Sequence, residues 1–155
     1  MKSKRGLSPL LATGGLIVVA IGLGIIVMNF GRAQIEVAAQ CAVDIGLKFT
    51  MLNDKPQVCL DRNKGQLFFI AENGKQIQVE KLHLRAIGEK EVLSLDVDDS
   101  KVEKIGTILK YVPYDVQRYG EVRQLRLIPS VLLYNEEITC PEQAIVSETM
   151  RDCET

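Results

Sequence analysis

Four cysteines and a single histidine are the side chains in this chain best equipped for chemistry, and their spacing favours bracing over catalysis. Cys41, Cys59, Cys140 and Cys153 form no C-x2-C pair, and His83 is distant from all four in sequence, so no zinc site is expected. Two disulfides fit the pattern better. Four cysteines allow three pairings, and locality favours Cys41–Cys59, which flank one expected hairpin, and Cys140–Cys153, which flank the tail. Bridges of this kind persist outside the reducing cytoplasm. His83 alternates with Leu82 and Leu84 and should project from an outer strand face beside Lys81 and Arg85 as a solvated residue.

The remaining polar clusters read as structure too. Asp96, Asp98 and Asp99 lack the central Gly and terminal Glu of a calcium loop, and they precede Ser100-Lys101-Val102-Glu103, a capping-box pattern. They are expected at the N-terminus of a short helix carrying Val102, Ile105 and Leu109. Tyr111, Tyr114 and Tyr119 surround Pro113, where packing is a simpler role than a sticky loop. With no G-x-S-x-G, phosphate loop, dinucleotide fingerprint or H-E-x-x-H, neither an enzyme, a cofactor nor a metal is expected. A balance of 19 basic and 20 acidic residues gives a net charge of -1 and no footprint for nucleic acid.

These residues must be positioned by one exported domain, because residues 7–30 contain no charge and are long enough as a helix to cross a bilayer. Lys2, Lys4 and Arg5 precede the run, whereas only Arg32 follows closely before Glu36, which leaves the N-terminus in the cytoplasm. Gly31-Arg32-Ala33 has the small-x-small form of a secretory cleavage site, but the apolar run is too long for that class. Gly15, Ala20, Gly22, Gly24 and Gly31 recur four or seven residues apart, so small faces are available where another helix can approach closely.

Beyond the helix the pattern turns to strands. Residues 41–52 alternate with period two, placing Cys41, Val43, Ile45, Leu47, Phe49 and Met51 on one face. A turn at Asn53-Asp54-Lys55-Pro56 leads to a strand at 57–60, and further strands are expected at 66–71, 76–79, 82–87, 92–97, 122–129 and 131–134, with a last segment at 138–146. Asn73-Gly74 is a preferred hairpin dipeptide. The expected fold class is therefore mainly β with a long N-terminal hydrophobic helix: an antiparallel β-sandwich, immunoglobulin-like, with one short inserted helix. A sheet wrapped on the helix continuation at 31–39 is the alternative.

The fragment Lys4-Arg5-Gly6-Leu7-Ser8-Pro9-Leu10-Leu11-Ala12-Thr13 resembles the amino-terminal signature of archaeal type IV pilins, which share their assembly logic with archaellins. The resemblance implies cleavage between Gly6 and Leu7 by a prepilin peptidase, so that Lys4, Arg5 and Gly6 are lost and a helix beginning Leu7-Ser8-Pro9 is kept. It further implies a leader at 1–6, a helix at 7–39 that first spans the membrane and then enters a filament core, and an extracellular β domain at 40–155. The implied partners are copies of the same chain, the peptidase, an assembly ATPase and a membrane platform protein. Leu11 stands where bacterial type IV pilins and many archaellins carry glutamate, and no Asn-x-Ser/Thr acceptor occurs. The alternative is a single-pass anchored extracellular binding module that does not polymerise.

Overall fold

In a computed structural model, the backbone is described for residues 9–42 and 44–153, and the side chains for 12–31, 41–42 and 44–153. The leader residues Lys4, Arg5 and Gly6, the expected cleavage point at Gly6–Leu7, Ser8 and Val43 lie outside the described residues. Two units separate, Met1–Ala39 and Gln40–Thr155.

Helix α1 (Pro9–Gln40) opens on a proline, whose fixed φ suits the first helical position. Its segment Ala12–Gly31 has a mean hydropathy of 2.2 over 20 residues, long and apolar enough to cross a membrane. Leu16, Ile17, Val18, Val19, Ile21, Leu23, Ile25 and Ile26 are all exposed, so the helix is apolar on every face and needs lipid or protein around it.

The second unit is mainly β. In chain order its strands are β1 (Lys48–Phe49), β2 (Met51–Leu52), β3 (Lys55–Pro56), β4 (Val58–Asp61), β5 (Gln66–Glu72), β6 (Val79–Gly88), β7 (Val92–Val97), β8 (Thr107–Pro113), β9 (Val122–Leu133), β10 (Glu136–Thr139), β11 (Ile145–Ser147) and β12 (Arg151–Asp152). In the first sheet β5 pairs with β8 on one edge and with β1 and then β4 on the other, while β12 adds to β4 in parallel. In the second, β6 lies between β7 and β9, and β10 and β11 succeed one another along the far edge of β9. The inward-facing residues Val58, Leu60, Leu67 and Phe69 of the first sheet and Leu82, Leu84, Leu125 and Leu127 of the second belong to one core. Strict alternation on β5 builds it, with Leu67, Phe69 and Ala71 buried and their neighbours partly exposed.

Several sequence expectations change. Of the strand face expected from Cys41 to Met51, Cys41, Ile45, Leu47 and Phe49 are buried, but strand pairing begins only at Lys48, and Met51 and Leu52 are exposed. After Thr50 the chain leaves the ladder into the β2–β3 hairpin, whose tip residues Asn53 and Asp54 have φ of 51° and 59°. Thr50 and Gln57 then rejoin around Ile70 by backbone hydrogen bonds, so 51–56 is an excursion from one continuous edge. No strand forms at 76–78, and Asn73-Gly74 is no hairpin turn. A Cβ on Gly74 would sit 2.6 Å from the Ile45 carbonyl oxygen, so glycine is required by a close backbone crossing as the chain leaves the first sheet.

The helix expected after Ser100 does not form. Val102 exchanges backbone hydrogen bonds with Val79 at 2.8 and 2.9 Å, Ile105 adopts a φ of 60°, and Leu109 belongs to β8. Ser100 is buried and accepts from the Leu82 N–H at 2.8 Å, beside the irregular pairing between Val79 and Lys81. A one-turn helix, α2 (Val116–Tyr119), occurs instead, capped by the Asp115 carboxylate. The break expected at residue 130, between strands at 122–129 and 131–134, is absent: β9 runs through it and contains Pro129. Its missing N–H faces the gap between β10 and β11, where the 3-10 turn Pro141–Gln143 sits, and its carbonyl accepts from Cys140 N–H at 2.9 Å.

The local disulfide pairing is also corrected. Cys41 is bonded to Cys140, with Cα atoms 5.6 Å apart, and Cys59 to Cys153, 5.0 Å apart. The pairs Cys41–Cys59 and Cys140–Cys153 do not form: Cys41 lies before β1, held by the Gln143 side chain beside the turn that carries Cys140, whereas Cys59 sits within β4. The tail returns as β12 beside β4, where Arg151 is in register with Cys59, and so delivers Cys153.

Candidate functional site

Two features of the described residues bear on function, one in each unit. On the helix, Gly14, Gly15, Gly22, Gly24 and Gly31 have nothing within 4 Å of where a Cβ would stand. Each glycine costs about 1 kcal/mol of helix propensity relative to alanine. Their sides of the helix are open, with room for another backbone to approach. Ala20 lies on the same helix, four residues before Gly24.

In the β unit, the two bridges tie down both ends of the chain. The Cys41 carbonyl also accepts from the Gln143 side-chain amide at 3.3 Å, so the first residues of the unit are held against the turn that carries Cys140. Near Cys153, Arg62 binds Glu121 through both Nη atoms, at 2.5 and 2.8 Å, and Asp152 through Nε at 2.6 Å. This fork raises the Arg62 pKa, chiefly through the hydrogen bonds to Asp152 and Glu121. The network joins the end of β4 to β12 and to the start of β9.

His83 is more engaged than its sequence position implied. Its Nδ1 lies 2.6 Å from Asp96 Oδ1, and its Nε2 lies 2.9 Å from Ser94 Oγ. Ser94 and Asp96 alternate on β7 and so share the face that His83 presents from β6. The hydrogen bond from His83 holds the Asp96 carboxyl below its usual range. The serine, imidazole and carboxylate follow the order of a hydrolase triad. The His83 and Asp96 side chains are 35% and 61% exposed, and their contact fixes the ring on the sheet face. Sequence reasoning missed it because Ser94 is 11 residues from His83; the visible signal was the S-x-D spacing on β7 opposite a histidine.

Asp98 and Asp99 join no metal cluster: among the described residues no group of three or more His, Cys, Asp or Glu could hold an ion. The tyrosines divide. Tyr114 is buried against Tyr119, with ring centroids 5.3 Å apart, while Tyr111 is exposed and packs on Phe68 at 5.1 Å. No protein-family model matches the chain, and no curated protein matches it.

Proposed function

We propose that the chain is a structural subunit of a type IV pilus-like archaeal cell-surface filament. The reading joins the Arg5-Gly6-Leu7-Ser8-Pro9 leader pattern to one structural observation: a helix apolar on every face, with five glycines whose open sides nothing in its own unit fills. Left in water, some twenty apolar side chains at ~1.5 kcal/mol each would be unfavourable by tens of kcal/mol. Lipid shelters them before assembly, and helices of sibling subunits shelter them afterwards. Because a bundle is about as apolar as lipid, the transfer has little net hydrophobic driving force and needs an ATPase and a membrane platform. A prepilin peptidase acting after Gly6 would release the basic leader and keep the helix.

The β unit is then the outer coat. Its pairing order supports an immunoglobulin-like sandwich: β4, β5 and β8 on one side, and β11, β9, β6 and β7 on the other, with the chain crossing between the sheets from β5 to β6, β7 to β8 and β8 to β9. Two disulfides suit an oxidising, extracellular setting.

Intact-mass measurement of the native protein tests the maturation step: a new N-terminus at Leu7 supports it, and an intact Met1 favours the non-polymerising anchored module. Replacing Gly6 by a bulky residue should block this processing. For the filament, electron microscopy of sheared surface appendages with peptide identification should find this chain as a component, and its absence there from cells that make it overturns the assignment.

A further inference from the structure

We propose that the outer face of the second sheet binds one tetrahedral oxyanion, sulfate or phosphate, between the guanidinium groups of Arg85 and Arg126. The site follows from register and does not depend on the filament reading. Arg85 on β6 is directly opposite Arg126 on β9 and, on its other side, opposite Ser94 on β7. Leu84, Ala86, Leu125 and Leu127 point into the core, so alternation sends the two arginines and the serine to the outer face in one row.

Two like charges directly opposite one another disfavour a sheet unless something neutralises them. Two neighbours on this face already have partners: Lys81 pairs with Glu137 at 3.5 Å, and the His83 ring lies 2.6 Å from Asp96. Arg85 and Arg126 have no ion pair or hydrogen bond among the described residues. Arg126 Nε is moreover closed off from solvent and unpartnered. That closure puts Nε out of reach of an ion on the outer face, so the anion is held through the terminal Nη groups of the two side chains. Asp96, two residues along β7 from Ser94, is fixed one row away by His83.

The chemistry selects the ligand. Two guanidinium groups carry two positive charges, matching a dianion better than a carboxylate. Their forks offer more N–H groups than the two oxygens of a carboxylate can accept, whereas a tetrahedral oxyanion presents three or four. Ser94, held by His83, stands beside the anion. The same group can arrive as a free ion or as the ester of an anionic surface polysaccharide.

Titration calorimetry of the full chain in nonionic detergent, with sodium sulfate against sodium chloride at matched ionic strength, tests the site. One saturable sulfate site is expected, weakened about tenfold or more by Arg85→Gln or Arg126→Gln and unchanged by Lys55→Gln, with acetate binding far more weakly than sulfate. Dextran sulfate identifies the source: tighter binding per sulfate group than the inorganic ion points to an ester, and equal binding to the free ion. No saturable sulfate binding above the chloride background, or wild-type affinity in both arginine variants, overturns the proposal. Should circular dichroism show Arg126→Gln to be misfolded, the exposed Arg85→Gln decides alone.

Discussion

Tyr114 donates its hydroxyl to the carbonyl oxygen of Gly120 at 3.0 Å, a buried hydrogen bond that closes the crossover from β8 to β9. Desolvation pushes the phenol up to about 12. Tyr114→Phe keeps the ring but leaves the Gly120 carbonyl unsatisfied, and should lower stability by about 1–2 kcal/mol in urea titrations. The pH dependence has a definite sign. Since the folded pKa lies above the unfolded value near 10, this part of the stability is intact below pH ~10 and is lost between pH ~10 and ~12. The phenylalanine variant should show a shallower alkaline decline than the parent; equal slopes would remove Tyr114 as the cause.

Asp96 supplies the acid-side counterpart. Its folded pKa is depressed, first by the hydrogen bond from His83, so its contribution is present above the unfolded carboxyl pKa and is lost as pH falls through the folded one. Carbon-detected NMR titration should place the Asp96 carboxyl below the ordinary aspartate range. In His83→Gln the value should move back up. A carboxyl that titrates normally in the parent protein would contradict the relay.

What the sequence made legible was whatever depends on neighbours. Strand β7 falls on the expected 92–97, and β5 extends the expected strand by one residue, because alternation of buried and exposed side chains is a local pattern. The apolar helix was equally plain. Ser100 shows the opposite case: its capping-box spacing is real, but the hydroxyl is taken by Leu82 N–H across 18 residues, and Val102 is drawn into a ladder with Val79. The strands expected at 122–129 and 131–134 are one, β9, and Pro129 fits within it because its nitrogen faces the gap where β10 and β11 end. The row of Arg85, Ser94 and Arg126 and the relay at His83 arise from three strands in register, which no local pattern encodes.

Asn73, buried at the close crossing beside Gly74, donates its side-chain amide to the carbonyls of Ile77 at 2.8 Å, Glu103 at 3.1 Å and Val102 at 3.3 Å. It therefore replaces a missing ladder where two loops meet the core. Asn73→Ala takes the donor from the Ile77 carbonyl, while the Val102 and Glu103 carbonyls keep the N–H groups of Val79 and Gly106, and should destabilise the unit by about 1–2 kcal/mol, read as a lower urea midpoint with an unchanged slope. Asn73→Asp should be no better, since a carboxylate cannot donate to them. A loss below about 0.5 kcal/mol for alanine, the level of an ordinary surface change, would show that water serves these carbonyls equally well.

The bridges Cys41–Cys140 and Cys59–Cys153 close loops with sequence separations of 99 and 94 residues, so each restricts nearly the whole β unit when unfolded. Chain entropy alone assigns about 4–5 kcal/mol to a single loop of this length, although the two loops overlap and their effects should add incompletely. Non-reducing peptide mapping should recover the 41–140 and 59–153 links; a 41–59 link would contradict this pairing. Removing one bridge by paired Cys→Ala changes should lower the unfolding free energy by about 2–5 kcal/mol. The Cys59/Cys153 pair should also loosen β12, because that parallel strand is only two residues long and depends on the bridge and on the Arg62–Asp152 ion pair. Hydrogen exchange should then show the tail opening while the β6–β9 pairing stays protected.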